Sequence, residues 1–234
     1  MDKNLTPSPS EQQGIRQRLI DGTLMQAFRA HPNAGIRLRT EAQLEQTLEE
    51  ALRHHDASQD IHVFGYGSLM WNPAMEVAHA CVAHVPGWHR RFCLRTLLGR
   101  GTPDQPGATL ALDRGGTCRG LLFRIDASKA QAELRLLWRR EMTPGAYDAR
   151  WIWANADGVW HRALAFVAIR THERYIGGAP IERVAELIRT GSGFLGSSRD
   201  YFECTIRSLE GLGISDAGIE RLRRAIRQAD RAAG

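Results

Sequence analysis

Glu141 stands where helical periodicity calls for an apolar side chain. Residues 127–142 read as a helix, with Asp126 as its candidate N-cap and a stop ahead of Thr143-Pro144-Gly145. Its apolar stripe runs through Ala130, Leu134, Leu137 and Trp138, and Glu141 continues that stripe, while Arg135, Arg139 and Arg140 fall to the sides or the opposite face. Burial disfavours a charged carboxylate, and the negative end of the helix dipole adds to the cost, so both raise its pKa. A carboxyl poised towards neutrality accepts and returns protons, which is what general acid–base chemistry requires. An ion pair with a neighbouring arginine would give the same pattern, and periodicity leaves both readings open.

The second candidate is the stretch IHVFGYGSLMWNP, residues 61–73, in which a strand-like run breaks at Gly65-Tyr66-Gly67-Ser68. Two glycines permit positive φ or a close backbone approach, and successive amides there could form an anion-binding concavity. The stretch is neither GxGxxG nor GxSxG, because Met70 stands where the last glycine of the latter would be. Ser68 therefore reads as a hydrogen-bonding loop residue, and a plain turn also accounts for the glycines. His79, Cys81, His84 and His89 have neither helical i, i+4 nor CxxC spacing, so no metal site is expected. Tyr147 and Tyr201 suit either a core or a pocket. Cys93 and Cys118 lie in strand-like segments and read as buried and inert.

The surrounding elements must hold these residues in place. The chain of 234 residues is 43% hydrophobic and 24% charged, ordinary values for a globular protein. It shows no apolar run of membrane-spanning length, and MDKNLTPSPS lacks a secretory core, so the expected setting is cytoplasmic. Four dispersed cysteines, Cys81, Cys93, Cys118 and Cys204, suit reduced thiols. Much of the net charge of +5 comes from Arg221, Arg223, Arg224, Arg227 and Arg231, on a solvated helix face with no nucleic-acid signature beside them.

Residues 1–58 read as an extension, polar and disordered over 1–13, then helical, with a capping box at Thr40–Gln43. Residues 59–234 read as the functional domain. Strands are expected at Ile61–Tyr66, Arg90–Arg95, Ala108–Leu112, Arg119–Ile125, Ala149–Asn155 and Trp160–Ile169. Trp151 and Trp153 share a face that reads as core. Helices follow from Pro180, Ser198 and Ser215. Strands first and helices later define an α+β domain with a curved or closed sheet.

Five short motifs occur in order: VFGYGSLMWNP, WHRRFCLR, GRGTPDQPG, LLWRREMTPGAY and SRDYFECTI. Over about residues 61–213 they resemble the ChaC-like γ-glutamylcyclotransferases. The resemblance implies a mixed, barrel-like sheet with flanking helices. It further implies cleavage of the γ-glutamyl amide of glutathione to 5-oxoproline and cysteinylglycine without a cofactor. It places the catalytic glutamate at Glu141 and the substrate loop at Phe64, Gly65, Tyr66, Gly67, Ser68 and Leu69. Tyr147 and Tyr201 fall near the pocket, with Arg90 and Arg100 as further substrate contacts. Many relatives read HRG where this chain has Gly99-Arg100-Gly101, so no histidine role carries over, and Gly-Ala-Tyr replaces the frequent Gly-Gly-Tyr. The expected partner is a small molecule, with neither nucleic acid nor membrane. A cyclotransferase for another γ-glutamyl compound and a non-catalytic γ-glutamyl-binding module are the alternatives, and the oligomeric state is left open.

Overall fold

The computed structural model describes residues 9–31 and 36–233. Five strands, β1 (Ile61–Gly65), β2 (His79–Thr96), β3 (Gly107–Ile125), β4 (Tyr147–Ala156) and β5 (Val159–Ala168), form a closed barrel in the order β1-β3-β2-β4-β5. Neighbours along that order are antiparallel, and β5 closes on β1 in parallel through His62↔Ala163 and Val63↔Leu164. The helices are α1 (Pro9–Ile20), α2 (Thr23–Arg29), α3 (Glu41–Leu52), α4 (Ala127–Glu141), α5 (Ile181–Thr190), α6 (Ser198–Gly211) and α7 (Ala217–Ala233). A two-residue hairpin, β6 (Ser192–Gly193) and β7 (Gly196–Ser197), precedes α6. No helix among the described residues is long and apolar enough to cross a membrane.

The strands around the two long ribbons differ from the sequence expectation. Arg90–Arg95 is only the end of the 18-residue β2, and the segments expected at Ala108–Leu112 and Arg119–Ile125 are one 19-residue β3. Gly87, Gly115 and Gly116, all at positive φ, lie inside the ribbon, whose register shifts between Pro86 and Trp88 and between Phe92 and Leu94. Residues that look like punctuation thus bend a continuous pair at bulges rather than ending it.

Side-chain alternation divides the packing into two cores. Ala163, Ala165 and Val167 of β5 join Phe64, Leu110 and Leu112 and the apolar faces of α5, α6 and α7. Leu164 and Phe166, the intervening residues, join Ile61, Val63, Leu134, Leu137 and Trp138, with Leu44 and Leu48 of α3 above them. Trp151 and Trp153 belong to one outer face, but α3 covers only the first. Trp151 donates its indole N–H to the Ala51 carbonyl at 2.8 Å, while Trp153 is 59% exposed, correcting the expectation that both are core.

Caps follow the sequence to within a residue or two. Thr40 and Gln43 form the expected capping box. Asp126 makes no side-chain cap on α4, and Asp60 accepts from the Ala127 amide at 3.0 Å instead. Ser197 caps α6, leaving the buried Ser198 hydroxyl to donate to the Ala108 carbonyl at 2.7 Å. Asp216, not Ser215, accepts from the Gly218 and Ile219 amides at the start of α7.

Helix α1 begins at Pro9, ahead of the expected start at residue 14, while residues 1–8, expected to be disordered, lie outside the described residues. α1 is anchored to α4 by an ion pair invisible in the sequence. Both Arg16 Nη atoms donate to the buried Glu133 carboxylate, at 2.5 and 2.7 Å, and the Glu76 amide donates at 2.9 Å. Burial pushes the Glu133 carboxyl up, but the Arg16 and Glu76 hydrogen bonds outweigh it and hold it below the usual range. A lowered folded-state pKa gives stability that is complete above the ordinary glutamate value of about 4.3 and drains away as pH falls towards the folded value. In urea titrations below about pH 4.3, Glu133→Gln is therefore expected to lose stability with a shallower pH slope than wild type. Equal slopes would show that the pair is not titrating with unfolding.

Candidate active site

Glu141 is the last residue of α4, so its stripe position carries it to where the helix meets the barrel. Its side chain is 14% exposed, and its Oε1 is sealed from solvent and accepts no hydrogen bond among the described residues. Arg140 Nε lies 3.0 Å from that oxygen, a charge neighbour without hydrogen-bond alignment. Burial raises the Glu141 pKa, with the Arg140 charge opposing it. Both sequence readings of Glu141 are thus present in part: an arginine stands beside it, yet desolvation prevails.

The carboxyl faces a small, partly open cavity of about 20 Å³, lined by Tyr66, Gly67, Ser68, Leu69, Leu110, Glu141, Tyr147, Phe166 and Tyr201. That space suits one water-sized group, whereas ligand pockets run to about 300–1,000 Å³, so a larger ligand enters only as the rim yields. Beyond Gly67 the chain makes one 3₁₀ turn, Ser68–Met70, with the Met70 amide donating to the Gly67 carbonyl at 2.8 Å.

The two glycines are needed for space rather than for handedness, since neither has positive φ. A Cβ on Gly65 would come within 2.6 Å of the Phe123 ring, and one on Gly67 within 3.1 Å of the Tyr201 hydroxyl. Tyr201 and the turn therefore meet as closely as bare backbone allows.

Three phenols surround the acid. Tyr66 donates to the Phe166 carbonyl and Tyr147 to the Leu110 carbonyl, each at 2.5 Å. Burial pushes the Tyr66 and Tyr147 hydroxyls well above the usual phenol range and Tyr201 to about 12, with Glu141's charge adding to each. All three stay neutral at physiological pH, which leaves Glu141 as the carboxyl among them.

Of the residues singled out in the sequence, Glu141, Tyr66, Gly67, Ser68, Leu69, Tyr147 and Tyr201 meet around this cavity. Phe64 and Gly65 lie just before it, Phe64 fully buried in the barrel core. Arg90 is equally buried and holds the loop from behind: its Nε donates to the Tyr66 carbonyl and its Nη1 to Asp216 at 2.8 Å. Arg100 stacks its guanidinium over the Tyr201 ring at 5.5 Å and donates to the Ser197 carbonyl, outside the lining. His79, Cys81, His84 and His89 are spread along β2, and among the described residues no His, Cys, Asp and Glu cluster could hold a metal.

Sequence reasoning missed Leu110 and Phe166, whose place depends on barrel register, and left open which arginine neighbours Glu141; it is Arg140, whose side chain curls back towards it. It also missed Arg174, buried beneath the site, which donates to the Pro144 carbonyl at 2.5 Å. A larger cavity of about 450 Å³ lies between β2 and the first turns of α5 and α7, but no carboxylate lines it.

A five-stranded barrel with a helix-borne acid at its rim sets this structure in the γ-glutamylcyclotransferase fold class. It superposes on the crystal structure of a γ-glutamyl cyclotransferase specific to glutathione from yeast with a TM-score of 0.67, at 19% identity, over 73% of this chain and 96% of that one. The chain belongs to the ChaC-like protein family, which matches residues 61–229. It is 40% identical over 163 residues to the glutathione-specific gamma-glutamylcyclotransferase of Escherichia coli (strain K12), covering 69% of this chain and 71% of that protein. It is 32% identical to the human glutathione-specific gamma-glutamylcyclotransferase 1 over 154 residues, 64% of this chain and 69% of the relative.

Proposed function

We propose that this chain is a glutathione-specific γ-glutamylcyclotransferase in which Glu141 is the proton shuttle. The observation that carries the reading is a largely buried carboxyl with a raised pKa facing the Gly67–Ser68 turn across one small cavity. Family membership and the 40% identity to the Escherichia coli relative support it independently.

The reaction needs no nucleophile from the protein. Once the α-ammonium of the γ-glutamyl group has lost one proton to solvent, the amine attacks the γ-carbonyl carbon and passes the surplus proton of the new ring nitrogen to the Glu141 carboxylate. A C–N bond forms within the five-membered ring as the bond to the cysteinyl nitrogen breaks. That nitrogen receives the proton, releasing 5-oxoproline and cysteinylglycine. Holding the chain folded for closure draws on effective molarity, worth up to about 7–11 kcal/mol in ideal cases. Amides of the Gly67–Ser68 turn would hold the glutamyl carboxylate or the developing oxyanion, with neutral Tyr147 and Tyr201 as walls and phenol contacts. Phe64, Gly65, Tyr66 and Leu69 shape the turn, Arg90 braces it, and Arg100 is a rim cation for the substrate's other end.

We take residues 1–58 as an extension and 59–234 as the catalytic domain. The setting we assign is cytoplasmic, which the four free thiols suit. Incubation of the purified protein with glutathione is expected to give 5-oxoproline and cysteinylglycine in equal amounts. Absence of product, or faster turnover of a different γ-glutamyl compound in a substrate panel, would overturn the assignment to glutathione.

A further inference from the structure

The proton shuttle and one of its tyrosine neighbours are joined by a short turn, residues 142–146, between α4 and β4. The turn has little internal bonding to fix it: the Gly145 amide donates to the Met142 carbonyl at 3.1 Å, with Gly145 at φ +79°. Carbonyls at a helix C-terminus lack partners within the helix and attract cations. Here the cation comes from far away in the chain. Arg39, one residue ahead of the Thr40 cap of α3, donates from Nη1 to the Met142 carbonyl at 2.9 Å. Its Nη1 and Nη2 both reach the Tyr147 carbonyl at 3.3 Å. The Arg39 amide adds a bond to the Thr143 carbonyl at 2.9 Å. One residue thus spans the turn from its first residue to the strand beyond it.

We propose that Arg39 is a positioning residue for the reaction, fixing the separation of Glu141 and Tyr147 by clamping the backbone that joins them. It lies outside residues 61–229, the part matched by the family, so the extension supplies a brace to the catalytic domain. The inference rests on the cyclotransferase reading for its kinetic consequence, but the clamp itself is a statement about structure.

A guanidinium fork reaches two carbonyls at once, whereas an ammonium is a single point charge. The arginine is half-buried, and burial lowers its pKa with the Asp148 charge opposing. It nevertheless remains a cation, because arginine titrates so far above neutrality. Misplacing a reacting group by about 1 Å costs on the order of 10²-fold in rate, so loosening this turn should register in turnover rather than in binding.

The test compares full-length wild type, Arg39→Ala, Arg39→Lys and Arg29→Ala in glutathione kinetics and amide hydrogen exchange. Arg29 is an exposed arginine of the same extension, with a 3.7 Å ion pair to Glu41, and serves as the control. For Arg39→Ala, kcat should fall about 10- to 100-fold with KM within about twofold, and the Gly145 amide should exchange faster. Arg39→Lys should recover part of kcat and Arg29→Ala should match wild type. Unchanged kcat or unchanged Gly145 exchange in Arg39→Ala overturns the proposal, as does an equal kcat loss in Arg29→Ala. If Arg39→Ala does not fold, the lysine variant decides: full activity there marks Arg39 as structural only. A wild type without turnover would remove the cyclotransferase reading, and the exchange comparison would still decide the clamp.

Discussion

Glutathione turnover by Glu141→Gln is expected to fall by about 10²–10⁴-fold, the range that loss of a general acid–base group produces. Glutamine has nearly the same shape and keeps the cavity filled, so the loss should appear in kcat with little change in KM. The same substitution should raise the melting temperature. A buried carboxyl whose pKa lies above its unfolded value is destabilising once ionised, and the amide removes that penalty. More active and less stable is the pattern expected of a group placed for chemistry rather than for packing.

Wild type should carry a matching pH signature. The shuttle must begin as a carboxylate, so activity falls as pH drops through the Glu141 pKa. Burial raises that pKa, Arg140 opposes, and neutral Tyr66, Tyr147 and Tyr201 surround the group. The acid limb of kcat/KM should accordingly lie above about pH 4.3, the ordinary glutamate value. Retention of more than about a tenth of wild-type turnover in Glu141→Gln, against the 10²–10⁴-fold expected, would remove Glu141 from the chemistry.

Trp138→Ala is expected to cost about 3–5 kcal/mol, the usual range for a large aromatic removed from a core. Trp138 is 1% exposed, packs edge-on against Phe166 at 5.3 Å, and donates its indole N–H to Thr47 at 3.2 Å. It therefore touches α4, β5 and α3 together. For a chain of this length the loss corresponds to a melting-temperature drop of about 6–20 °C. Burial outweighs the hydrogen bond, which contributes about 1 kcal/mol, so Trp138→Phe should retain most of the stability. Scanning calorimetry separates the two variants, and a drop below about 2 °C for Trp138→Ala would mean that α3 and α4 are held together by other contacts.

What the sequence made legible follows from how local each signal is. Glu141 was visible because a helix repeats its face every three to four residues, and one charged residue on an apolar stripe stands out. The Thr40–Gln43 box was equally local. The function of Gly65 and Gly67 was only half legible: the need for bare backbone could be read, but its cause is the Phe123 ring and the Tyr201 hydroxyl, residues far along the chain. Asp126 failed as a cap because Asp60 reached the same amide first, and Trp153 failed as core because α3 ends its cover at Trp151. Leu110, Phe166 and the Arg39 brace depend on barrel register and on chain segments meeting in space. Periodicity carries neither.

The smallness of the space beside Glu141 bears on what is made as well as on how it is made. Two nucleophiles compete for the γ-carbonyl: the amine of the same molecule and bulk solvent. On the reading proposed above, a γ-glutamyl group seated against Leu110, Phe166 and the phenol rings would fill a space of only about 20 Å³ and crowd out a bystander water. The acyl carbon would then meet only the amine on its own backbone. Lactam formation in place of hydrolysis to free glutamate would then follow from crowding, without any side chain dedicated to choosing between them.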